Sequence, residues 1–474
     1  MKQQNAFLWC ICLMLVVSNV HAQRYFGIAT SEWNDVNSIY LNPANIAGSH
    51  EKISVGIISF NLGVDNNLGT FSSIGNIGNS LNSNGGTNSL FSNSGQANFS
   101  MIVPSGEVRG PSIIVKINSK QSIAFTTRIR VINQLNNFDQ SLFNTITNPS
   151  FTPNSTYTVK AQNFNWTAHL WSEAGLTYSV ILAQDDRNQL KAGATLRYLG
   201  GIGYLALKGN NLDLNYSSGK DSFYAANSDL QYTSNVVSTR SAIFNGINTS
   251  DLLGNFFGSN QGSGVGADLG FVYSFNPGGG MYSEKYNPGQ GYKLKFSASV
   301  TDLGSINYKA QNNSTVIVTG NGYITGNGLK NNVKNASDFR NYIVNQGFTG
   351  DTTARSTRIF LPSALLLSGD YNVYQKFFVN ATYINNLANR QSFGNSYYNQ
   401  VTLTPRYDTK LITVGLPITY SMLANDLKMG IGFRISGFFV GSDDMLALFS
   451  NHQYGFGFYM GGYIPLFTKT NTEG

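Results

Sequence analysis

The 474-residue chain has little charge. Asp, Glu, Lys and Arg make up 12% of it, against roughly 25% in an average soluble domain. It has two cysteines, Cys10 and Cys12, both within the first 22 residues. A chain released after residue 22 would carry no disulfide, no thiolate metal site and no cysteine nucleophile. Its four histidines, His21, His50, His169 and His452, are too scattered for metal-ligand spacing. Neither a G-x-S-x-G elbow nor a phosphate-binding G-x-x-x-x-G-K-[ST] loop occurs, and the glycines of GSGVGADLG (262–270) lack the dinucleotide fingerprint. Asp443-Asp444 lies eight residues before His452, but adjacent acids on a strand point apart, which is poor geometry for shared acid–base work. No dense basic run suggests nucleic acid. After residue 22 no apolar run is long enough to span a membrane as a helix. The expectation is a chain without enzymatic activity, cofactor or metal.

What the chain does have is 26 Tyr, 31 Phe and 50 Gly, with a mean hydropathy of only −0.14. Aromatic richness argues against disorder. The residues are arranged with a period of two. In DLKMGIGFRIS (426–436), Leu427, Met429, Ile431, Phe433 and Ile435 alternate with Lys428, Gly430, Gly432, Arg434 and Ser436. In YKLKFSASV (292–300), Tyr292, Leu294, Phe296, Ala298 and Val300 alternate with Lys293, Lys295, Ser297 and Ser299. Such alternation makes strands with two unlike faces. A soluble sandwich would alternate too, but would carry more charge on its exposed face. Low charge, small residues on the polar face and low mean hydropathy together point to transmembrane strands with the apolar face turned to lipid.

Residues 1–22 read as a secretory leader: Lys2, an apolar run over 6–17, then small-residue cleavage geometry at Val20-His21-Ala22. Residues 51–467 read as an all-β, closed antiparallel barrel of about 14 strands, within a range of roughly 12–16, with a short tail over 468–474. Thirteen segments alternate clearly and one more is expected between 202 and 235. Tight turns are expected at 118–121 and 185–188. Long loops rich in Asn, Ser, Gly and Thr are expected over 62–98, 209–263 and 310–355. Ile57-Ile58 breaks phase and predicts a bulge, and Pro362 predicts irregular pairing. In the C-terminal third, long connections over 385–398 and 440–453, with two short turns between them, break the expected alternation of short and long.

Before the first strand stands YLNPANIAGSHEKISV, in which Asn42-Pro43-Ala44 reads either as a plain turn or as part of an ordered segment. Together with SVTDLGSINY (299–308), FLPSALLLSGDY (360–371) and FFVGSD (438–443), it resembles the FadL and PorV-like outer-membrane barrels, in particular an uncharacterised outer-membrane family of Bacteroidota. The resemblance implies a 14-stranded barrel in the cell outer membrane, with residues 23–50 folded into its lumen as a hatch. FadL relatives pass hydrophobic compounds through the barrel wall, and PorV relatives serve type IX secretion as partners. The two implied readings are therefore passive uptake or passage of a hydrophobic or amphiphilic compound, and a non-transport barrel binding a protein of a secretion or surface-attachment system. Outer-membrane lipid is a partner in either case.

With the apolar face outward, the inward set contains Lys116, Arg128, Arg130, Lys191, Arg197, Lys293, Lys295, Lys428 and Arg434, against the acids Glu173 and Asp268. A net-positive lumen would favour anions. Arg128, Arg130, Arg197, Lys293, Lys295 and Arg434 are thus anion-binding candidates that would suit an amphiphile with a carboxylate or phosphate head. The alternative is that these bases sit solvated at strand ends or pair with loop acids.

Overall fold

The computed structural model describes residues 24–71, 91–93, 98–140, 156–216, 222–235, 261–279, 291–309, 314–325, 328, 331–332, 336–353, 356–389, 392–445 and 454–467. The expected leader and tail, and His452, lie outside them.

The alternating segments become strands, and 14 of them close into an antiparallel barrel. In chain order the first strands are β1 (Glu51–Asn66), β2 (Asn98–Lys116), β3 (Gln121–Asp139), β4 (Tyr157–Gln184), β5 (Asn188–Tyr216), β6 (Ser222–Ser234), β7 (Gly262–Phe275) and β8 (Leu294–Tyr308). They are followed by β9 (Ser314–Thr325), β10 (Thr349–Thr353) and β11 (Thr357–Phe360, resuming as Ala364–Tyr374 past Pro362). The last are β12 (Phe377–Asn386), β13 (Gln400–Asp408), β14 (Ile412–Gly415 and Ile418–Ser421), β15 (Asp426–Met429 and Ile431–Ile435), β16 (Phe438–Ser442) and β17 (Gly455–Phe467). The ring is β1 to β5, β7, β8 and β11 to β17. It closes where β17 pairs with β1, Ile464 opposite Val55. The predicted bulge is present as a register shift between Gly56 and Ile58, which leaves Ile57 and Ile58 both exposed.

The apolar faces point outward. Phe296 is 51% exposed, Leu427 50% and Phe433 41%, whereas Arg128, Arg197, Lys428 and Arg434 on the alternate positions are buried inside. One rim carries both ends of the barrel chain and tight turns at 117–120, 185–187, 375–376, 409–411 and 436–437. The far rim carries the long connections except 276–293, which joins β7 to β8 on the tight-turn rim. The C-terminal third keeps this alternation after all. Three connections, not two, separate the long ones, because the tight turn at 422–425 is itself a far-rim connection.

Two expectations change. The strand expected between 202 and 235 is not in the ring: 202–216 continues β5, and β6 lies outside the barrel, while the short β16 takes the remaining place. Parts of the expected loops over 209–263 and 310–355 are strands, since β5 beyond residue 204 pairs with β6, β6 with β9, and β9 with β10. A spanning strand needs roughly 10 residues; β4 has 28 and β5 has 29, so this hairpin rises far beyond a bilayer. The physical switch is at Gly201-Ile202-Gly203. Trp171 pairs with Gly201 but Leu170 pairs with Gly203. A one-residue slip moves a period-two stripe to the opposite face. Before it, Leu196 and Tyr198 are exposed and Arg197 is buried. After it, Leu212, Leu214 and Tyr216 are buried and Asn215 is exposed. The barrel wall is greasy outside, whereas the extension is greasy inside, with Phe138, Phe164, Val316, Val318 and Ile343 of helix α2 (Ala336–Asn345) in one core.

Candidate functional site

The lumen is occupied by the chain itself. Residues 24–50 are nearly all buried within the ring, beginning with Tyr25, Phe26 and Ile28 against Phe439 and Tyr459 and including the short helix α1 (Asp35–Ser38). Asn42-Pro43-Ala44 packs directly against the wall. Asn42 caps a 3-10 turn over Pro43–Ile46, its Oδ1 accepting from Ala44 N at 2.8 Å. Its Nδ2 donates to Phe271 O (3.0 Å), Ser297 Oγ (2.8 Å) and Ala298 O (3.1 Å) on β7 and β8. Two wall glycines make room. A Cβ on Gly193 would stand 2.5 Å from Ala44 N, and one on Gly270 would stand 2.0 Å from Asn42 Oδ1. Ser299 Oγ donates to Leu41 O at 2.6 Å, and Ser31 Oγ to Asp408 Oδ1 at 2.7 Å. The segment is thus anchored by wall side chains that alternate inward.

Beside it lies a layer of ion pairs. Arg128 Nε meets Glu173 Oε2 at 2.7 Å and its Nη2 meets Asp302 Oδ1 at 2.6 Å. Arg130 Nη1 reaches Asp302 at 3.0 Å and Glu173 at 3.3 Å. Arg197 pairs with Asp268 and, at 3.3 Å, with Glu173, and Arg109 pairs with Glu107. Four arginines thus face four carboxylates. The sequence reading found only Glu173 and Asp268 among the inward acids. Asp302 was missed because it sits on a bulge: it adopts a left-handed backbone (φ 58°), and the β8–β7 register shifts between Val300 and Leu303. Among residues with a side chain, Asp and Asn are enriched in that region. Gly304 completes the kink (φ 145°), which accounts for Asp302-Leu303-Gly304. A second cluster joins Arg406 to Asp370 (2.7 Å) and Asp408 (3.4 Å). Arg406 and Asp408 are in phase with Thr402 and Thr404, so the alternation itself was the signal that could have found them.

The remaining candidates are distributed differently. Lys295 pairs with Glu32 of the N-terminal segment and stands 3.6 Å from Asp370. Lys293 lies at the tight-turn rim and donates to Asn372 O at 2.7 Å. Arg434 donates to Thr409 O (2.6 Å), Ser436 O (2.9 Å) and Thr413 Oγ1 (2.7 Å), tying two rim turns together. Lys428 pairs with Asp65 at 2.7 Å, and Lys116 donates to Ser49 O at 2.8 Å. Lys191 is buried inside the wall. Arg128, Arg130 and Arg197 are brought together; Lys293, Lys295 and Arg434 are not brought to them.

Within the N-terminal segment burial shifts the acids. It would raise Glu32, but the Lys295 ammonium overrides it and holds the carboxyl at about 2. Asp35 is pushed up to about 7 by burial, against the Ser49 hydroxyl that donates to it. Burial lowers His50, whose ring is tilted against Trp33 at 4.9 Å, to about 4. Past the end of β16, burial raises Asp443 to about 7 although it accepts from Gly27 N at 3.3 Å. Among the described residues no group of three or more His, Cys, Asp or Glu side chains is placed to hold a metal ion.

Little free space remains inside. Three luminal cavities measure about 60, 40 and 30 Å³, room for a few waters each. A larger concavity, about 540 Å³, is on the outer wall. Ala298, Gly369 and Ala381 form its floor, and Phe271, Phe296 and Tyr383 are among its walls. Ser297, Ser368 and Thr382 line both this groove and the 40 Å³ cavity beside Glu32 and Lys295. One layer of strand separates the two.

Solved structures with similar folds include three outer-membrane proteins. The Ralstonia pickettii toluene transporter TbuX is 10% identical, with 91% of this chain and 94% of that chain covered at a TM-score of 0.39. The P. putida toluene transporter TodX is 8% identical, with 90% and 91% covered at 0.40. A Pseudomonas aeruginosa FadL homologue is 11% identical, with 94% and 96% covered at 0.32. At these values the reading of the fold rests on the strand pairing, not on the likeness. No curated protein matches the chain. The model of one family spans residues 43–443, and the chain belongs to that family, described as a family of unknown function (DUF5723).

Proposed function

We propose that this protein is an outer-membrane barrel for passive uptake or passage of a hydrophobic or amphiphilic compound, with residues 24–50 acting as a hatch. The observation that carries this reading is the pair of spaces set back to back across one strand layer. The outer groove lies in the apolar belt, where bilayer hydrocarbon covers it. The inner cavity offers Ser297, Ser368, Thr382 and Asn380 beside the Lys295–Glu32 pair. A tail in the groove and a polar head beneath it would suit an amphiphile. Passage would require the N-terminal segment to move, because its buried residues occupy the lumen. Arg128, Arg130 and Arg197 could receive an anionic head only by exchanging it for carboxylates they already hold.

The test is photocrosslinking in native-lipid discs with a diazirine-bearing long-chain acid and a diazirine alkane. Adducts are expected at Phe271, Phe296 and Tyr383, lost on Gly369→Phe, together with loss of compound transfer into reconstituted vesicles. Equal adducts at Leu176 and Leu196 elsewhere on the belt, or transfer unaffected by Gly369→Phe, would overturn the reading.

The filled, charge-compensated lumen favours one second reading, a non-transport barrel that binds a secretion or surface-attachment protein. Mass spectrometry of proteins co-purified in native lipid decides between them: a recurrent protein partner with no compound transfer supports the second.

A further inference from the structure

The far-rim connection between β12 and β13 does not stay outside the barrel. Residues 392–399 turn inward and cross to the opposite wall. Gln134 on β3 grips Ser396 with both ends of its amide. Its Nε2 donates to Ser396 O at 2.9 Å, and Ser396 N donates to its Oε1 at 2.7 Å. Asn395 Nδ2 donates to Thr167 O on β4 at 3.1 Å. The Tyr397 hydroxyl donates to Asp302 Oδ2 at 3.0 Å and accepts from Arg130. Its ring lies 4.2 Å from the Arg24 guanidinium carbon. Tyr398 is buried with Ile132, Tyr204 and Tyr308. A connecting loop ordinarily runs over the surface because its backbone groups need water. Here an inward-facing side chain of the wall takes water's place at Ser396. Along β3, Gln134 lies farther from the tight-turn rim than Arg128 and Arg130, so the loop sits on the far-rim side of the ion-pair layer.

We propose that residues 392–399 are a second closure of the lumen, distinct from the N-terminal segment, with Gln134 and Tyr397 as its latches. One backbone bond, from Phe360 N to Phe393 O at 2.9 Å, and a single bridge between Phe360 and Gly394 tie it to β11; otherwise side-chain hydrogen bonds hold it instead of a strand ladder, and segments held in that way open at lower free energy than the strands around them. It closes the lumen from the far rim, while residues 24–50 fill it from the other side. The two meet where Arg24 covers Tyr397. The proposal goes beyond the function above and does not depend on which compound passes.

The test uses single-cysteine reporters in the full chain, whose only native cysteines are Cys10 and Cys12. Ser105→Cys lies in the small cavity lined by Arg130 and Tyr397. Ser38→Cys lies in the N-terminal segment. Intact cells are labelled with a membrane-impermeant maleimide added from outside. Gln134→Ala combined with Tyr397→Phe is expected to speed labelling of the Ser105→Cys reporter at least tenfold, and to change the Ser38→Cys reporter less than twofold. Tyr397→Phe alone, which keeps the ring beneath Arg24, is expected to give an intermediate rise and guards against a misfolded double variant. Heat-modifiable gel mobility reports that the barrel has folded. An unchanged Ser105→Cys rate in the folded variants overturns the proposal. So does equal acceleration of both reporters, which would mean a single closure. Failure of compound transfer leaves these rates untouched, so the two readings fail separately.

Discussion

Replacing Asn42 by alanine should loosen the N-terminal segment without opening the barrel. The side chain is 1% exposed, and the two N–H groups of its amide are shared among three wall acceptors at 2.8–3.1 Å, Phe271 O, Ser297 Oγ and Ala298 O. A buried hydrogen bond contributes a net of about 0.5–1.5 kcal/mol. Asn42→Ala should therefore cost about 1–3 kcal/mol of anchoring, summed at that rate over the two N–H donors. At about 1.4 kcal/mol per factor of ten, the detached population should rise roughly 5- to 150-fold. The Ser38→Cys reporter measures this directly, because a buried thiol reacts only when the segment lifts and its labelling rate then follows the open population. Gly193→Val is an independent lever, since its Cβ would meet Ala44 N at 2.5 Å. It should accelerate labelling by steric means with every Asn42 bond available. Labelling within threefold of the parent in both variants, with heat-modifiable mobility unchanged, would refute the claim that the Asn-Pro-Ala turn holds the segment.

Three further outcomes are expected. Arg at Leu196, which is 63% exposed on the outward face of β5, should destabilise the folded barrel by about 2–4 kcal/mol if that position is near the bilayer midplane; urea titration in lipid vesicles measures it, and no change would mean this face does not meet hydrocarbon. Arg197→Met strands Asp268 in a buried layer and should cost about 3–5 kcal/mol, with much of the loss recovered in the double variant with Asp268→Asn, whose Oδ1 can still accept from Asp302 N; additive losses would mean the pair is not coupled. Asp35 has a folded pKa of about 7, raised first by burial, against about 3.9 unfolded. The bound state therefore holds the extra proton, and the contribution of Asp35 to docking stability is full below about pH 4 and is lost as pH rises to about 7. Ser38→Cys protection, corrected for thiol reactivity, should be higher at pH 5.5 than at pH 8, and Asp35→Asn should flatten the difference.

Much of the wall was legible because a strand's two faces are written in its own residues. Leu427, Phe433 and Phe296 point to hydrocarbon, as their alternation with Lys428, Arg434 and Lys295 required, and Arg406 and Asp408 would have joined the inward set had the same rule been applied to VTLTPRYD. The charge balance was less legible. Asp302 enters the layer from a left-handed bulge, where period two fails, and Glu107 belongs to a strand whose pairing with β3 shifts three times. The count of about 14 strands was correct with one strand misplaced, because β6 alternates as a barrel strand does and only its partner excludes it from the ring.

Composition and alternation by themselves determined a closed sheet with a greasy outside and a polar inside, since every spanning strand must satisfy its backbone through neighbours and its side chains through lipid or lumen. What fills that lumen was decided only in three dimensions. The bulge at Gly201–Gly203 turns β5 inside out above the wall, four carboxylates from distant strands meet four arginines, and Ser396 finds Gln134 across 262 residues of chain. Such contacts depend on which strands become neighbours around the ring, and no local pattern in the sequence encodes that order.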